Sequence, residues 1–326
     1  MMASRGRRWL YREMVCSSGS VAVIGAGLAG VSAAGVIADA GYRVVIFEKS
    51  RGLGGRCATK RWEGHTIDHG AQYFTMRDAD FRGAVGRACG EDVMPISAPI
   101  VAGNGDALVG EGRFYHRSGN SRLARALLGE IEARTGIEVG PVEGRTINGE
   151  VFDAIVATAP LPQTLRLAGI DGRSVSYVPC LTAILLYDGD PDGLAAELYA
   201  VSDRSGHPLA WSACENHKSG RILPGSTVLI AQASEAFSRE WLEAPPEDWG
   251  SRLRVLAEER WEMDAGRFRA LHAHRWRYAR VAHAMEIPPL PDGWFFAGDA
   301  VSESRVEAAW LAGRDAGRRV ALFLAK

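Results

Sequence analysis

No two of the five cysteines in this 326-residue chain, Cys16, Cys57, Cys89, Cys180 and Cys214, stand in a CxxC pair, and their number is odd. That excludes a zinc ribbon or a disulfide scaffold and points to a reducing, cytoplasmic setting. Excess charge is also missing: 38 Lys and Arg against 39 Asp and Glu leave a net charge of -1. Nucleic acid is therefore not expected as a partner, because binding it needs a basic face that neutralises several phosphates. A metal-ligand constellation is lacking as well. His272 and His274 fall on one side of a strand, but no acid or thiol stands at ligand spacing, so no metal site is expected. Long apolar runs are absent in effect. Val15 to Ala38 carries no charge and follows Arg5, Arg7 and Arg8, yet glycines at 19, 25, 27, 30 and 35 interrupt it. It reads as a short strand and a turn rather than a membrane span. Residues 1–17 read as a frayed extension in which Met14 is an alternative start.

Glycine, by contrast, is abundant at 38 residues, and it falls where phosphate binding needs bare backbone. Ser20 to Ile24 is a short β-rich run, Gly25-Ala26-Gly27-Leu28-Ala29-Gly30 follows at once, and Val31 to Ala40 reads as an apolar helix. Strand, tight turn and helix in that order open a dinucleotide fold. Gly25 permits the turn, Gly27 lets backbone approach a pyrophosphate, and Gly30 lets the helix pack close to the strand. The helix N-terminus then offers N–H groups to the phosphates. Tyr42 to Phe47 reads as the second parallel strand, and Glu48 ends it 18 residues beyond Gly30, where a carboxylate can accept the hydroxyls of an adenosine ribose.

FAD is distinguished from NAD by the next segment. After Lys49, the run Ser50-Arg51-Gly52-Leu53-Gly54-Gly55-Arg56 adds a second glycine turn and two arginines, bringing guanidinium groups and open backbone toward a pyrophosphate and a flavin. No second GxGxxG follows a strand, which argues against a separate NADPH domain. FAD held non-covalently is expected, since no cysteine lies near Gly298-Asp299 and His69 is the only histidine placed for a covalent bond. At the far end Gly293 to Asp299 reads as a buried strand and Val306 to Leu324 as an apolar-faced helix. Asp299 can hydrogen-bond a ribityl or pyrophosphate chain, or cap a helix. With signatures at both ends, the FAD-binding domain must be discontinuous, spanning 18–80, 106–170 and 283–326. Residues 81–105 and 171–282 alternate strands, such as Cys180 to Tyr187 and Thr227 to Ala233, with a helix near Pro246 to Glu262. They read as a substrate domain whose antiparallel sheet roofs the flavin.

Hydride transfer to a flavin asks for a dry pocket that holds the donor carbon about 3–3.5 Å from the ring, and few acid–base groups. Ile67 to Phe74 fits a segment beside the isoalloxazine, with Gly70 and Ala71 small enough to admit the ring, Gln72 able to hydrogen-bond flavin or substrate, and Tyr73 adjoining. An ordinary strand edge is the competing reading. In His274-Arg275-Trp276-Arg277-Tyr278 the three aromatic residues share one strand face. That face could sandwich a planar ring or pack as core. Trp211 is a weaker candidate of the same kind. Lys218 and Arg221 read as charges for a phosphate or as solvated loop residues.

These residues together resemble the flavin amine-oxidase superfamily and, within it, the bacterial branch of the renalase-like FAD oxidoreductases. GAGLAG at 25–30, EKSRGLGGR at 48–56, DHGAQYFTMRDADF at 68–81, VATAPLPQ at 156–163, HRWRYARV at 274–281 and GDAVSESRVEAAWLAGRDAGRR at 298–319 carry the resemblance along nearly the whole chain. It implies an α/β fold of the p-hydroxybenzoate-hydroxylase type, and an oxidase that takes hydride from isomeric dihydronicotinamide dinucleotides and gives it, through FAD, to O2 as peroxide. It carries FAD contacts to Gly25, Gly27, Gly30, Glu48, Lys49, Arg56, Gly70, Ala71, Gln72, Gly298, Asp299 and Val306. The chain departs from the family at Pro179-Cys180-Leu181-Thr182, where a Trp is expected, and at Gly119-Asn120. Both departures are expected to lie at the substrate. An amine oxidase or desaturase of the wider superfamily is the alternative. A non-catalytic flavin protein is a further one, resting on Leu181 and Asn120 and predicting a pocket filled by side chains.

Overall fold

The computed structural model describes residues 19–170 and 176–326; the expected extension 1–17, with Met14, lies outside them. Five strands form a parallel sheet in the order Trp294–Phe296, Ala154–Ala157, Ser20–Ile24, Arg43–Glu48, Glu132–Thr135. Ser20–Ile24 sits in the middle and pairs on both sides. Its unbroken apolar run follows from burial on both faces. Val21 and Val23 join a core with the helices Leu28–Asp39, Ala79–Cys89, Ser121–Leu128 and Val306–Leu324, while Ala22 and Ile24 face Phe47, Phe152 and Ile155. The sequence divides Ala79–Cys89 at residue 80. In the structure its Phe81, Val85 and Cys89 all pack into the core of the parallel sheet.

The two ends of the chain meet at Leu28–Asp39 and Val306–Leu324. A Cβ on Gly313 would stand 2.0 Å from the Ala29 carbonyl oxygen, and one on Gly317 would stand 2.8 Å from that of Ala33. Glycine at both places lets the helices cross nearly backbone to backbone. This contact brings Gly298 and Asp299 beside the early glycine turn.

A second sheet runs in the order Phe268–Val281, Tyr177–Asp188, Ser226–Ala233, Leu209–Cys214, Ala200–Ser202, Ile100–Ala102. It is antiparallel except for its last pair. One face buries Leu181, Leu185 and Leu229 against Trp249, Leu253 and Trp261 of the helix Pro246–Trp261. The other face looks toward the glycine turn. There the register sets Trp211, Gln232, Thr182 and His274 side by side on four neighbouring strands. At about 4.8 Å per strand this row spans roughly 14 Å. The fold is therefore mixed α/β, a Rossmann-like sheet with an antiparallel sheet over it. Among the described residues no helix is long and apolar enough to cross a membrane, and the described part of the charge-free run is a strand, a turn and a 12-residue helix.

Candidate cofactor and substrate site

A cleft of about 1850 Å³ lies between the sheets. Pockets for a single small ligand span about 300–1,000 Å³, so this one has room for a dinucleotide cofactor and a second molecule. Its floor starts at the glycine turn. Gly25 has φ +106 and donates to the Phe47 carbonyl at 2.8 Å. A Cβ on Gly30 would lie 1.9 Å from the Gly25 oxygen, whereas one on Gly27 would meet nothing within 4 Å. Gly25 and Gly30 are thus bare for the protein's own packing, and Gly27 is bare toward the cleft. The helix that follows has no side-chain cap, which leaves its first-turn N–H groups to a ligand. The second glycine turn docks on the first: Gly54 donates to the Ala26 carbonyl at 2.9 Å, and a Cβ on Gly55 would sit 3.4 Å from the Gly27 Cα.

Glu48 is buried at the cleft wall. Its Oε2 accepts from the Ala26 N–H and its Oε1 from the Ser50 N–H, both at 2.8 Å. Each oxygen keeps a lone pair for a ribose hydroxyl. Lys49 is exposed on the same wall, next to Arg51. Arg56 is ion-paired with Asp299, which also accepts from Ser304 Oγ at 2.8 Å and Tyr177 Oη at 3.2 Å. Burial would raise the Asp299 carboxyl, but the hydrogen bond and charge of Arg56, helped by Ser304 and Tyr177, hold it below the usual carboxylate range. Asp299 thus acts directly on Arg56, fixing a guanidinium on the wall beside Gly298 and Val306.

Across the cleft, His274, Trp276 and Tyr278 line the roof together with Trp211 and Tyr73. Arg275 and Arg277 turn to the helix side, donating to the Ala244 carbonyl and pairing with Glu243. His69 lies between roof and floor, its ring 4.6 Å from that of His274 and stacked 5.4 Å from that of Trp276. Two roof side chains pin this segment: Trp276 Nε1 donates to the His69 carbonyl and Gln232 Nε2 to the Gly70 carbonyl, each at 3.0 Å. Burial, with His274 and His272 close by, pushes His69 down to about 3, and burial brings His274 to about 4. Both imidazoles are neutral at neutral pH. Cys57 and Cys180 also line the cleft, and burial lifts their thiols to about 12 and about 11, which excludes a thiolate nucleophile at neutral pH.

The two depressed histidines set a pH signature. In the unfolded chain they titrate near 6.5, and the folded protein refuses those protons, so their stabilisation is complete above about pH 6.5 and is lost as pH falls toward 4 and 3. His69→Phe is expected to flatten the fall in urea midpoint between about pH 6.5 and 4; an unchanged slope would show that His69 protonates freely in the folded state.

The structure redraws several assignments made from sequence. Ala26 and Gly30 lie behind the cleft wall, the first donating to Glu48 and the second packed on Gly25. Gly70 is small for a different reason from the one expected: a Cβ there would fall 2.0 Å from the Arg56 carbonyl oxygen. Lys218 and Arg221 are neither solvated nor at the cleft; their side chains are fully buried on Asp68 and Glu215. Asn120 is buried below the cleft, accepting from the His116 N–H and donating to the Ala71 carbonyl. Leu181 points into the helix-side core. Neither residue reaches the substrate space, so the observation behind a non-catalytic reading disappears. No local signal in the sequence marks Gln232 or Tyr177, because their roles depend on strand register.

The cradle fits FAD. Its glycine floor is open at Gly27, and three buried polar atoms on wall residues, His69 Nδ1, Gln72 Oε1 and Trp211 Nε1, have no protein partner among the described residues. A family profile described as an NAD(P)-binding Rossmann-like domain matches residues 23–84. Phytoene desaturase of Fusarium fujikuroi is 51% identical over 51 residues, which are 16% of this chain and 9% of that protein. Among solved structures, a provisionally assigned protoporphyrinogen oxidase of Exiguobacterium sp. 255-15 superposes with a TM-score of 0.74 at 15% identity, over 94% of this chain and 99% of that one. A putrescine oxidase double mutant made in a redesign of cofactor binding gives 0.70 at 11% identity, over 93% and 98%. The chain carries the fold of these enzymes along nearly its whole described length.

Proposed function

We propose that this chain, built on the fold of the flavin-dependent amine-oxidase and desaturase superfamily, is a renalase-like FAD-dependent oxidase. It takes hydride from isomeric dihydronicotinamide dinucleotides, returns NAD(P)+, and passes the electrons to O2, which leaves as hydrogen peroxide. The observation that carries this reading is the aromatic face of His274, Trp276 and Tyr278 set across the cleft from the glycine floor, with the neighbouring histidines held neutral. Such a wall suits a flat, uncharged dihydropyridine ring.

FAD, bound non-covalently, supplies the hydride acceptor. The backbone of Gly25, Gly27, Leu28 and Ala29 and of Gly54 to Arg56 would hold its pyrophosphate, Glu48 its ribose, and Arg56, steadied by Asp299, its negative charge. Trp276 and Gln232 fix the His69 to Gln72 segment against which the donor ring rests. A hydride leaves with its electron pair, so the donor carbon needs no general base, and the neutral histidines suit that role. The clustered rings of His69, His274 and Trp276, the first and last of them stacked, would keep water from the reacting carbon.

Anaerobic titration of the purified protein is the direct test. Its yellow absorbance is expected to bleach on adding isomeric dihydronicotinamide dinucleotides, and to return in air with release of peroxide. An amine oxidase or a desaturase is the second reading, favoured by the putrescine oxidase fold and the short desaturase-like segment. Bleaching by a primary amine or a polyene, with none by the dinucleotides, would replace the first reading with the second.

A further inference from the structure

Two arginines beside the Tyr73–Trp211 pair have no carboxylate partner among the described residues. Arg204 is exposed at the rim of the cleft next to Ala210 and Trp211. Arg113 stands outside the cleft lining, over the Tyr73 ring at 5.6 Å, and makes a single long hydrogen bond, 3.4 Å to the Leu108 carbonyl. Nearby acids are engaged elsewhere. Asp203 pairs with Arg260 at 2.8 Å and accepts from Ser205, and Glu111 pairs with Arg77, itself on the cleft wall. The rings of Tyr73 and Trp211 stand 5.7 Å apart, and the buried Trp211 Nε1 has no hydrogen-bond partner among the described residues.

We infer that this mouth is a diphosphate subsite, in which Arg204 and Arg113 grip the phosphate oxygens of the hydride donor while Tyr73 and Trp211 wall the passage to the flavin. A guanidinium fork matches phosphate oxygens in pairs, and two unpaired forks beside aromatic rings suit a nucleotide diphosphate. A cationic amine would meet positive charge at this rim, where the neighbouring carboxylates of Asp203 and Glu111 are already paired. The inference rests on the dinucleotide reading and adds which part of the substrate these residues touch. It also makes the positive mouth a filter that acts before the ring reaches the flavin.

The test uses FAD-loaded wild-type protein, Arg204→Gln, Arg113→Gln and the double variant, with ADP-ribose as a probe that carries the diphosphate but no nicotinamide. Calorimetry is expected to show ADP-ribose binding that weakens about tenfold per arginine removed and loses part of its salt dependence, with FAD content and visible spectrum unchanged. Equal binding by wild type and variants, or no binding by the loaded wild type, overturns the subsite. The two proposals fail separately. If the dinucleotides do not bleach the flavin but ADP-ribose binding falls in the variants, the oxidase reading is lost and the diphosphate subsite stands. If the dinucleotides bleach it with unchanged KM in the double variant, the oxidase reading stands and the subsite is lost.

Discussion

Gly27→Ala is expected to leave the protein folded and to strip it of flavin. The φ of Gly27 is -73, which alanine adopts freely, and a Cβ there meets no protein atom within 4 Å. Without cofactor, the variant should match the wild type or exceed it by up to about 1 kcal/mol, since alanine narrows the unfolded ensemble. Its affinity for FAD should nonetheless fall about a hundredfold, or roughly 2.7 kcal/mol, because the methyl group occupies the line along which the pyrophosphate meets the backbone. Gly30→Ala is the contrast. Its Cβ would strike the Gly25 carbonyl, so stability and flavin binding should fall together. Urea unfolding of both apoproteins, set beside flavin titration, separates the two roles. Undiminished FAD affinity in Gly27→Ala would mean that the turn does not face the cofactor.

The largest loss of stability is expected at Asp68. Its side chain and those of Glu215, Lys218 and Arg221 are fully buried; Asp68 Oδ2 lies 3.1 Å from Lys218 Nζ and 2.5 Å from Arg221 Nη1. Its Oδ1 accepts from Thr59 Oγ1 at 2.7 Å and the Asn120 N–H at 2.9 Å. Burial alone would raise this carboxyl, but the charges of Lys218 and Arg221 bring it below the ordinary range. Asp68→Ala leaves two buried cations facing one carboxylate, which costs about 3–5 kcal/mol. In a chain of this size that corresponds to a fall in Tm of about 4–7 °C. By comparison, removing Glu243 from its exposed pair with Arg277 should change stability by less than about 1 kcal/mol. A loss under about 1 kcal/mol for Asp68→Ala would show that water reaches the cluster.

How much was legible in the chain follows from the distance over which each feature is encoded. The glycine turn, Glu48 at the end of its strand, the helix Val306–Leu324 and the shared face of His274, Trp276 and Tyr278 are matters of local spacing, and spacing sets them. The helix Leu28–Asp39 starts three residues before the apolar run at Val31 because the turn residues themselves enter its first turn. A Gly/Ser-rich loop suggests solvent for Lys218 and Arg221, whereas Asp68, one of the two carboxylates that hold Lys218, is 150 residues away. Position within the motifs puts Asn120 and Leu181 at the substrate, and the fold does not. One residue of strand register or one turn of backbone decides which way a side chain points, and motif order does not encode that. Gln232 became visible only once its strand was set between those of Trp211 and Thr182.

The anchoring of His69 and Gly70 to the overlying sheet has a consequence for traffic. Opening the two halves like a jaw would break the bonds from Trp276 and Gln232, part Asp299 from Tyr177 and Arg56 from the Ala279 carbonyl, and pull Asp68 away from Lys218 and Arg221. That combined resistance makes the enclosure a fixed corridor. Small molecules are then expected to enter between walls that stay in place, and parting those walls is expected to require local melting.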